Sequence, residues 1–374
     1  MKLLHISDLH LGISFLGEPL LEYQRAFCDF LAKTAVKRKV RAVLVSGDVF
    51  DRAVSSAEAI ALYDDWITKL CLKHGIAVCM IAGNHDGAER LASCNALLRH
   101  AGFYVAGRLQ SPLVPICLEE EGEAVEIYLL PYFQPEEARA VLENSEIRTM
   151  EQAMAELFAG IQKEGSIRRI LLAHCFAAGG ETSDSDRAAL VGGASRVGAE
   201  VFSAFDYVAL GHLHAPQKVG KNAYYSGTPL PYSFSEKNQR KHFLVLDTED
   251  LSLREIPVQA PYCLREERGT LAELKKQAKE HPSQDYLRLE ATDARIAKED
   301  YEFFREAYPN LLLAYSSAYA PGEEAALSPE QVEQLSAEAI LREFLQEQEG
   351  RSPSQAEVQW FLRAMEQAEK GALL

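Results

Sequence analysis

Over the first 260 residues one pattern repeats: a short aliphatic or β-branched run, a polar cluster, then a stretch with helical periodicity. The runs are LLHIS (3–7), AVLVS (42–46), AVCMIA (77–82), IYLLP (127–131), ILLA (170–173), YVAL (207–210), AYYS (223–226) and FLVL (243–246). Continuous apolar runs of this length read as strands buried on both faces. Between the early ones, 23–37 sets Phe27, Phe30, Leu31 and Ala35 on one stripe, and 57–73 does so with Ile60, Ala61, Tyr63, Leu70 and Cys71. Both stretches read as amphipathic helices. Strand and helix in alternation predict a layered α/β domain over residues 1–260, with ligand chemistry on the loops leaving the carboxyl ends of the strands.

The texture changes at Pro261. Residues 286–290 (YLRLE) alternate, 297–308 read as a helix and 311–315 (LLLAY) as a strand, which predicts a small βαβ cap over 261–320. Pro321 and Gly322 read as a linker into a helical C-terminal tail, 321–374. In the tail, Ser328-Pro329 with Gln331, and Ser354 with Glu357, have the spacing of capping boxes. Ile340, Leu341, Phe344 and Leu345 make one apolar stripe, Val358, Phe361, Leu362 and Met365 another, and Gly371 reads as a stop. A segment this short cannot enclose a core alone. The stripes therefore predict docking, either back on the body of the chain or on a second protein.

Charged residues make up 25% of the chain, an ordinary globular share that excludes wholesale disorder. The apolar runs stop far short of the roughly 18 residues a membrane helix needs. Met1 and Lys2 lead into a strand and then to Asp8 and His10, which leaves no room for a signal peptide. Seven cysteines, an odd number without C-x-x-C spacing, predict reduced thiols, neither a disulfide frame nor a zinc ribbon. A cytoplasmic protein is the expectation.

Five polar clusters stand at the ends of runs: Asp8-Leu9-His10, Gly47-Asp48, Gly83-Asn84-His85-Asp86, His174, and Gly211-His212-Leu213-His214. They hold half of the chain's ten histidines. Singly, each has a bland reading as a turn, a loop cap or a hydrogen-bonded structural imidazole. Together, carboxylates, imidazoles and one amide oxygen on one sheet edge are the ligand types that hold two divalent first-row cations about 3.5 to 4 Å apart. If 212–214 is extended, its two imidazoles point the same way.

This set, in this order, resembles the calcineurin-like metallophosphoesterases. HISDLHLG at the start, SGDVFDRA, AGNHD, FDYVALGHLHAPQ and YYSGTPLPYSF narrow the resemblance to the SbcD family of bacterial exonuclease subunits. It is strong over residues 1–260 and beyond them rests more on layout than on motif. The fold it implies is α/β, a two-sheet sandwich flanked by helices, with the small βαβ cap and the helical tail. It also implies two divalent metal ions, most of all Mn2+, with Asp8, His10 and His214 on the first, Asn84, His174 and His212 on the second, and Asp48 bridging. His85 takes the place of the family's general acid. Asp51 stands where the family often has a residue hydrogen-bonded to that histidine; its other reading is a loop cap paired with Arg52. The activity implied is metal-dependent 3′ to 5′ exonuclease and single-strand or hairpin endonuclease cleavage of DNA. The partner implied is an SbcC-type ATPase subunit bound through the C-terminal helices, in a homodimer within a heterotetramer. GDVFDRA is also similar to a Ser/Thr protein phosphatase motif, but Asp86 stands where those enzymes have glutamate.

A net charge of −16 argues against a polyanionic partner. Its distribution softens that argument. From Pro321 onward 11 acidic residues face 4 basic ones, whereas between Pro216 and His242 Lys218, Lys221, Lys237, Arg240 and Lys241 face only Glu236. A basic patch can be simply a solvated surface, yet beside His212 and His214 it predicts phosphate contacts to DNA from Lys218, Lys237, Arg240 and Lys241, together with Arg52. Two other readings compete. A small-molecule phosphodiesterase or nucleotidase would need neither cap nor tail, and an inactive scaffold is disfavoured by the filled ligand positions.

Overall fold

The computed structural model describes residues 1–161, 167–182, 196–319, 341–342 and 351–362. Two six-stranded sheets pack face to face. One runs, edge to edge, Leu253–Pro257, His242–Asp247, Lys2–Ile6, Ala42–Ser46, Ala77–Ile81 and Phe103–Ala106. The other runs Gln217–Val219, Ala223–Tyr225, Tyr207–Gly211, Arg168–His174, Glu123–Leu130 and Ile116–Glu120. Lys2–Ile6, Ala42–Ser46 and Ala77–Ile81 are parallel, as are Tyr207–Gly211, Arg168–His174 and Glu123–Leu130, so the clusters that follow these strands gather at one edge.

Leu3, Leu44 and Ile81 from one sheet meet Ile127, Leu172 and Ala209 from the other in a buried layer. The outer face of the first sheet, with Leu4, Val43, Val45 and Val78, takes the helices Leu21–Lys37 and Ala57–Thr68 through Phe27, Leu31, Leu62 and Trp66. The outer face of the second takes Met150–Phe158 and the turn Ala199–Ala204 through Met154, Phe158 and Phe202. The second helix departs from its expected stripe only in part: Tyr63, Leu70 and Cys71 pack against the core as expected, but Ile60 is 50% exposed and Ala61 is exposed, with Ala59, Leu62, Trp66 and Ile67 buried in their place. Its apolar residues allow two stripes, and the one carrying Trp66 removes the most surface from water. Phe30 likewise stays partly exposed, with its ring edge-on to Phe243.

The expected strand–helix–strand unit is formed by Tyr286–Ala291, Lys298–Ala307 and Leu311–Ser316. A further strand, Leu264–Gly269, and helix, Leu271–Glu280, precede it, giving a three-stranded parallel sheet with Leu274, Leu287, Leu289 and Phe304 beneath the helices. The extra strand has no apolar run to announce it, because its buried position is Glu267, paired with Arg265. The cap seats on the sandwich through Tyr262, whose ring lies 5.2 Å from Tyr23 and 5.1 Å from Tyr286. In the tail, residues 355–362 are helical, and the Ser354 and Glu357 capping box forms: the Glu357 N–H donates to Ser354 Oγ at 3.3 Å and the Ser354 N–H to Glu357 Oε2 at 2.8 Å. Pro321, Gly322, the Ser328 box, Ile340, Phe344, Leu345, Met365 and Gly371 lie outside the described residues. All seven cysteines are free, and no described helix is long and apolar enough to cross a membrane.

Candidate metal centre

Where the two sheets meet at their carboxyl edge, backbone approaches backbone. Ser46 Oγ donates to the Ala209 carbonyl at 2.8 Å across the sheets. A Cβ on Gly211 would stand 1.9 Å from Ser46 O, and one on Gly83 would stand 2.1 Å from Asp48 Oδ1. These two glycines serve close approach, and Gly47 does so as well, since a Cβ there would stand 2.4 Å from His174 Nδ1, while its φ of +88° also serves a turn that L-residues rarely make. The loops they permit are tight: Asp8, His10, Asp48 and His212 all have positive φ, a conformation that persists only where surrounding contacts enforce it. Asp86 supplies such contacts. Its buried carboxylate accepts the N–H groups of Val49, Phe50 and Gly83 at 3.1, 2.9 and 2.8 Å, and burial pushes it up to about 6.

All seven expected ligands come together. Asn84 Oδ1 lies 3.0 Å from His174 Nε2 and 3.1 Å from His212 Nδ1. Octahedral ligands about 2.1 Å from a shared cation would stand about 3 Å apart. His10 and His214 form a second group, with ring centroids 5.2 Å apart, and ligand atoms of Asp8, His10 and Asp48 lie within 4.8 Å of one another. Between the groups is Asp48: Oδ1 accepts the His85 N–H at 2.9 Å, while Oδ2 stands 3.4 Å from His174 Nε2 and 3.8 Å from His10 Nε2.

The protonation pattern suits cation binding. Both ring nitrogens of His10 are buried without a hydrogen-bond partner, and burial lowers its pKa to about 3, so it presents a neutral imidazole. His212 is lowered to about 3 by burial as well. His174 Nδ1–H donates to the Ser46 carbonyl at 2.9 Å, which turns Nε2 toward Asn84 and Asp48. Burial raises Asp8 to about 6, although its carboxylate also accepts the His212 N–H at 2.9 Å. Burial works against the charge on Asp48 too, but His174 and His10 outweigh it and hold that carboxyl well below the usual range. Burial also works against a charge on His174, but Asp48 outweighs it and raises that imidazole to about 9, so a cation there would displace its proton, whereas His10 and His212 are already neutral. Such a set of buried imidazoles and carboxylates, with one imidazole wholly unpartnered, fits a divalent-cation centre.

His85 is exposed beside this cluster, its Nδ1–H donating to the main-chain oxygen of Asp51 at 2.9 Å. The Asp51 carboxylate instead lies 3.4 Å from Arg52 Nε, so both readings of Asp51 have a counterpart, one through the backbone and one through the side chain. Of the expected DNA contacts, Lys218, Lys237, Arg240 and Arg52 are exposed. Lys218 lies over the Tyr224 ring at 5.2 Å, and Lys237 pairs with Glu266 of the cap. Lys241 is a correction: it is 4% exposed, and its ammonium donates to the His214 carbonyl, Thr228 Oγ1, Glu236 and Gln239, so it cannot meet a phosphate. Glu236, passed over in the sequence as the single acid of a basic stretch, accepts from His214 Nδ1 at 3.1 Å. Asp86 and Glu236 give little sequence signal, since an acid in a loop ordinarily faces water.

A family profile described as calcineurin-like phosphoesterase matches residues 1–216, and one described as type 5 capsule protein repressor C-terminal domain matches residues 262–349. The D subunit of the nuclease SbcCD from Staphylococcus epidermidis is 31% identical over 319 residues, covering 83% of this chain and 84% of that protein. A crystal structure of TT1561 of Thermus thermophilus aligns with 69% of this chain and 99% of its own at 14% identity, with a TM-score of 0.40.

Proposed function

Because the chain belongs to the calcineurin-like phosphoesterases and, within them, to the SbcD nuclease subunits, we propose that its metal-dependent DNA nuclease chemistry runs on two divalent cations, Mn2+ by assignment, held by the seven residues above. Asp8, His10 and His214 hold one, Asn84, His174 and His212 the other, and Asp48 bridges. One observation carries this reading: Asp48 Oδ2 faces His10 at 3.8 Å and His174 at 3.4 Å, as a carboxylate oxygen shared by two sites would. Bound there, the cations would neutralise the phosphodiester and make hydroxide available near neutral pH. The chain's own residues do the rest. His85, fixed by its Nδ1–H on the Asp51 carbonyl, keeps Nε2 for passing a proton to the leaving oxygen. Lys218, Lys237, Arg240 and Arg52 hold the DNA backbone.

The reaction we assign is 3′ to 5′ exonuclease and single-strand or hairpin endonuclease cleavage. Residues 1–260 form the nuclease domain, 261–320 the DNA-contacting cap, and 321–374 the segment that binds an SbcC-type ATPase, in a homodimer within a heterotetramer. The name of the Staphylococcus relative, one part of SbcCD, supports the partner. The test gives the purified protein Mn2+ and, side by side, a labelled oligonucleotide and a small-molecule phosphodiester. Oligonucleotide cleavage that Asp48→Ala abolishes is the expected result. Turnover of the small ester with the oligonucleotide left intact would favour a small-molecule phosphodiesterase.

A further inference from the structure

We infer that Glu236, locked by Lys241, is the positioning residue for the His214 imidazole. The inference rests on the reading of His214 as a cation ligand and adds how that ligand is aimed. Among the described residues, His174 and His85 are oriented by main-chain carbonyls and His10 by no hydrogen bond at all. His214 is oriented by a carboxylate. Glu236 Oε1 accepts His214 Nδ1–H at 3.1 Å, which leaves the lone pair on Nε2 and raises its basicity.

The carboxylate is itself immobilised. Glu236 is 1% exposed, and its Oε2 accepts from Lys241 Nζ at 2.6 Å, Thr228 Oγ1 at 3.1 Å and the Tyr232 N–H at 3.3 Å. Lys241 Nζ also donates to the His214 carbonyl at 2.9 Å, so the pair grips that histidine at both ring and backbone. A buried ion pair is seldom worth more stability than apolar side chains of the same volume, which makes stability alone a poor account of this one. The turn Phe234–Glu236 is held in addition from the cap: Lys237 and Arg288 both pair with Glu266, and the Arg288 guanidinium sits 4.8 Å from the Phe234 ring. The seat of the cap and the aim of His214 thus share one short segment.

The test titrates metal-free full-length protein with Mn2+ by calorimetry, for wild type, His214→Ala, Glu236→Gln with Lys241→Met, and all three changes together. The paired variant removes both charges at once, so no ion is left buried alone. It should weaken one of two Mn2+ sites by about 10- to 100-fold. The triple variant should bind no more weakly than His214→Ala, and the paired variant should lose kcat on an oligonucleotide with KM little changed. Wild-type titration by the paired variant, or a triple variant weaker than His214→Ala, would overturn the positioning role while leaving His214 a ligand. Wild-type titration by His214→Ala would remove the ligand assignment and this inference with it. Should the paired variant not fold, Glu236→Gln with Lys241→Gln, which keeps polar groups at both positions and likewise leaves no buried ion alone, carries the same comparison.

Discussion

The carbonyl oxygen of Ser46, last residue of its strand in one sheet, accepts the Nδ1–H of His174, last residue of its strand in the other, at 2.9 Å. The contact exists because Gly211 beside it has no side chain: a Cβ there would lie 1.9 Å from that oxygen and 2.9 Å from His174 Nδ1. Gly211→Ala should therefore destabilise the fold by about 1 to 3 kcal/mol, the usual cost of overpacking, and weaken cation binding through His174. Urea unfolding and Mn2+ titration measure the two effects. Wild-type values in both would show that the sheets can part here at no cost.

Asp48 and His85 stand side by side, yet their substitutions should separate. Asp48→Ala removes the oxygen that faces both imidazole groups, so metal content and hydrolysis should fall together. His85→Ala should keep its metal and lose turnover by roughly 100- to 10,000-fold, the range for general acid catalysis. Elemental analysis decides: a His85→Ala protein that has lost its metal makes His85 a ligand.

The interior of the fold was legible in the sequence and most of its edges were not. The eight apolar runs became the eight interior strands, whereas Phe103–Ala106, Ile116–Glu120, Gln217–Val219 and Leu253–Pro257, all at sheet edges, were missed. Three of them face water along one side and carry residues such as Glu119, Lys218 and Arg254, which erase the continuous apolar signal, whereas Phe103–Ala106, an apolar run of four, was legible and was passed over. The candidate site divides in the same way. Its ligand types stand out because a histidine or aspartate after a buried run is conspicuous. Glu236 and Lys241 do not, since a Lys and a Glu five positions apart look like any solvated surface until packing buries both.

Lys241 and its exposed neighbours should respond to substitution in opposite ways. Exchanging Lys218, Lys237 and Arg240 for methionine should flatten the dependence of DNA affinity on salt by about 2 to 3 in log–log slope, at roughly 0.9 per lost phosphate contact on duplex. Lys241→Met should leave the slope alone and destabilise the protein by about 3 to 5 kcal/mol, because Glu236 would stay buried without its counter-ion. Fluorescence anisotropy across a salt series, paired with thermal unfolding, reads both. A slope unchanged by the triple exchange would route the DNA elsewhere.

His5 should make the protein acid-sensitive. It is fully buried between the sheets, where its Nε2–H donates to the Leu210 carbonyl at 3.2 Å and its Nδ1 accepts the Tyr207 hydroxyl at 2.9 Å. Burial, opposed by the Leu210 hydrogen bond and helped by His242, lowers its pKa to about 3. In the unfolded chain the same imidazole has its ordinary value near 6.5. Below about pH 6.5 the unfolded chain takes up a proton that the folded one refuses until about pH 3, so stability drains away as pH falls through that window and is untouched above it. His5→Gln, which keeps a donor and an acceptor without titrating, should close the stability gap to wild type by about 1.4 kcal/mol between roughly pH 7.5 and 5.5. Urea unfolding of both proteins with a chelator present, at several pH values, gives that gap directly. A gap that stays constant would mean that His5 is protonated in the folded protein as readily as in the unfolded one.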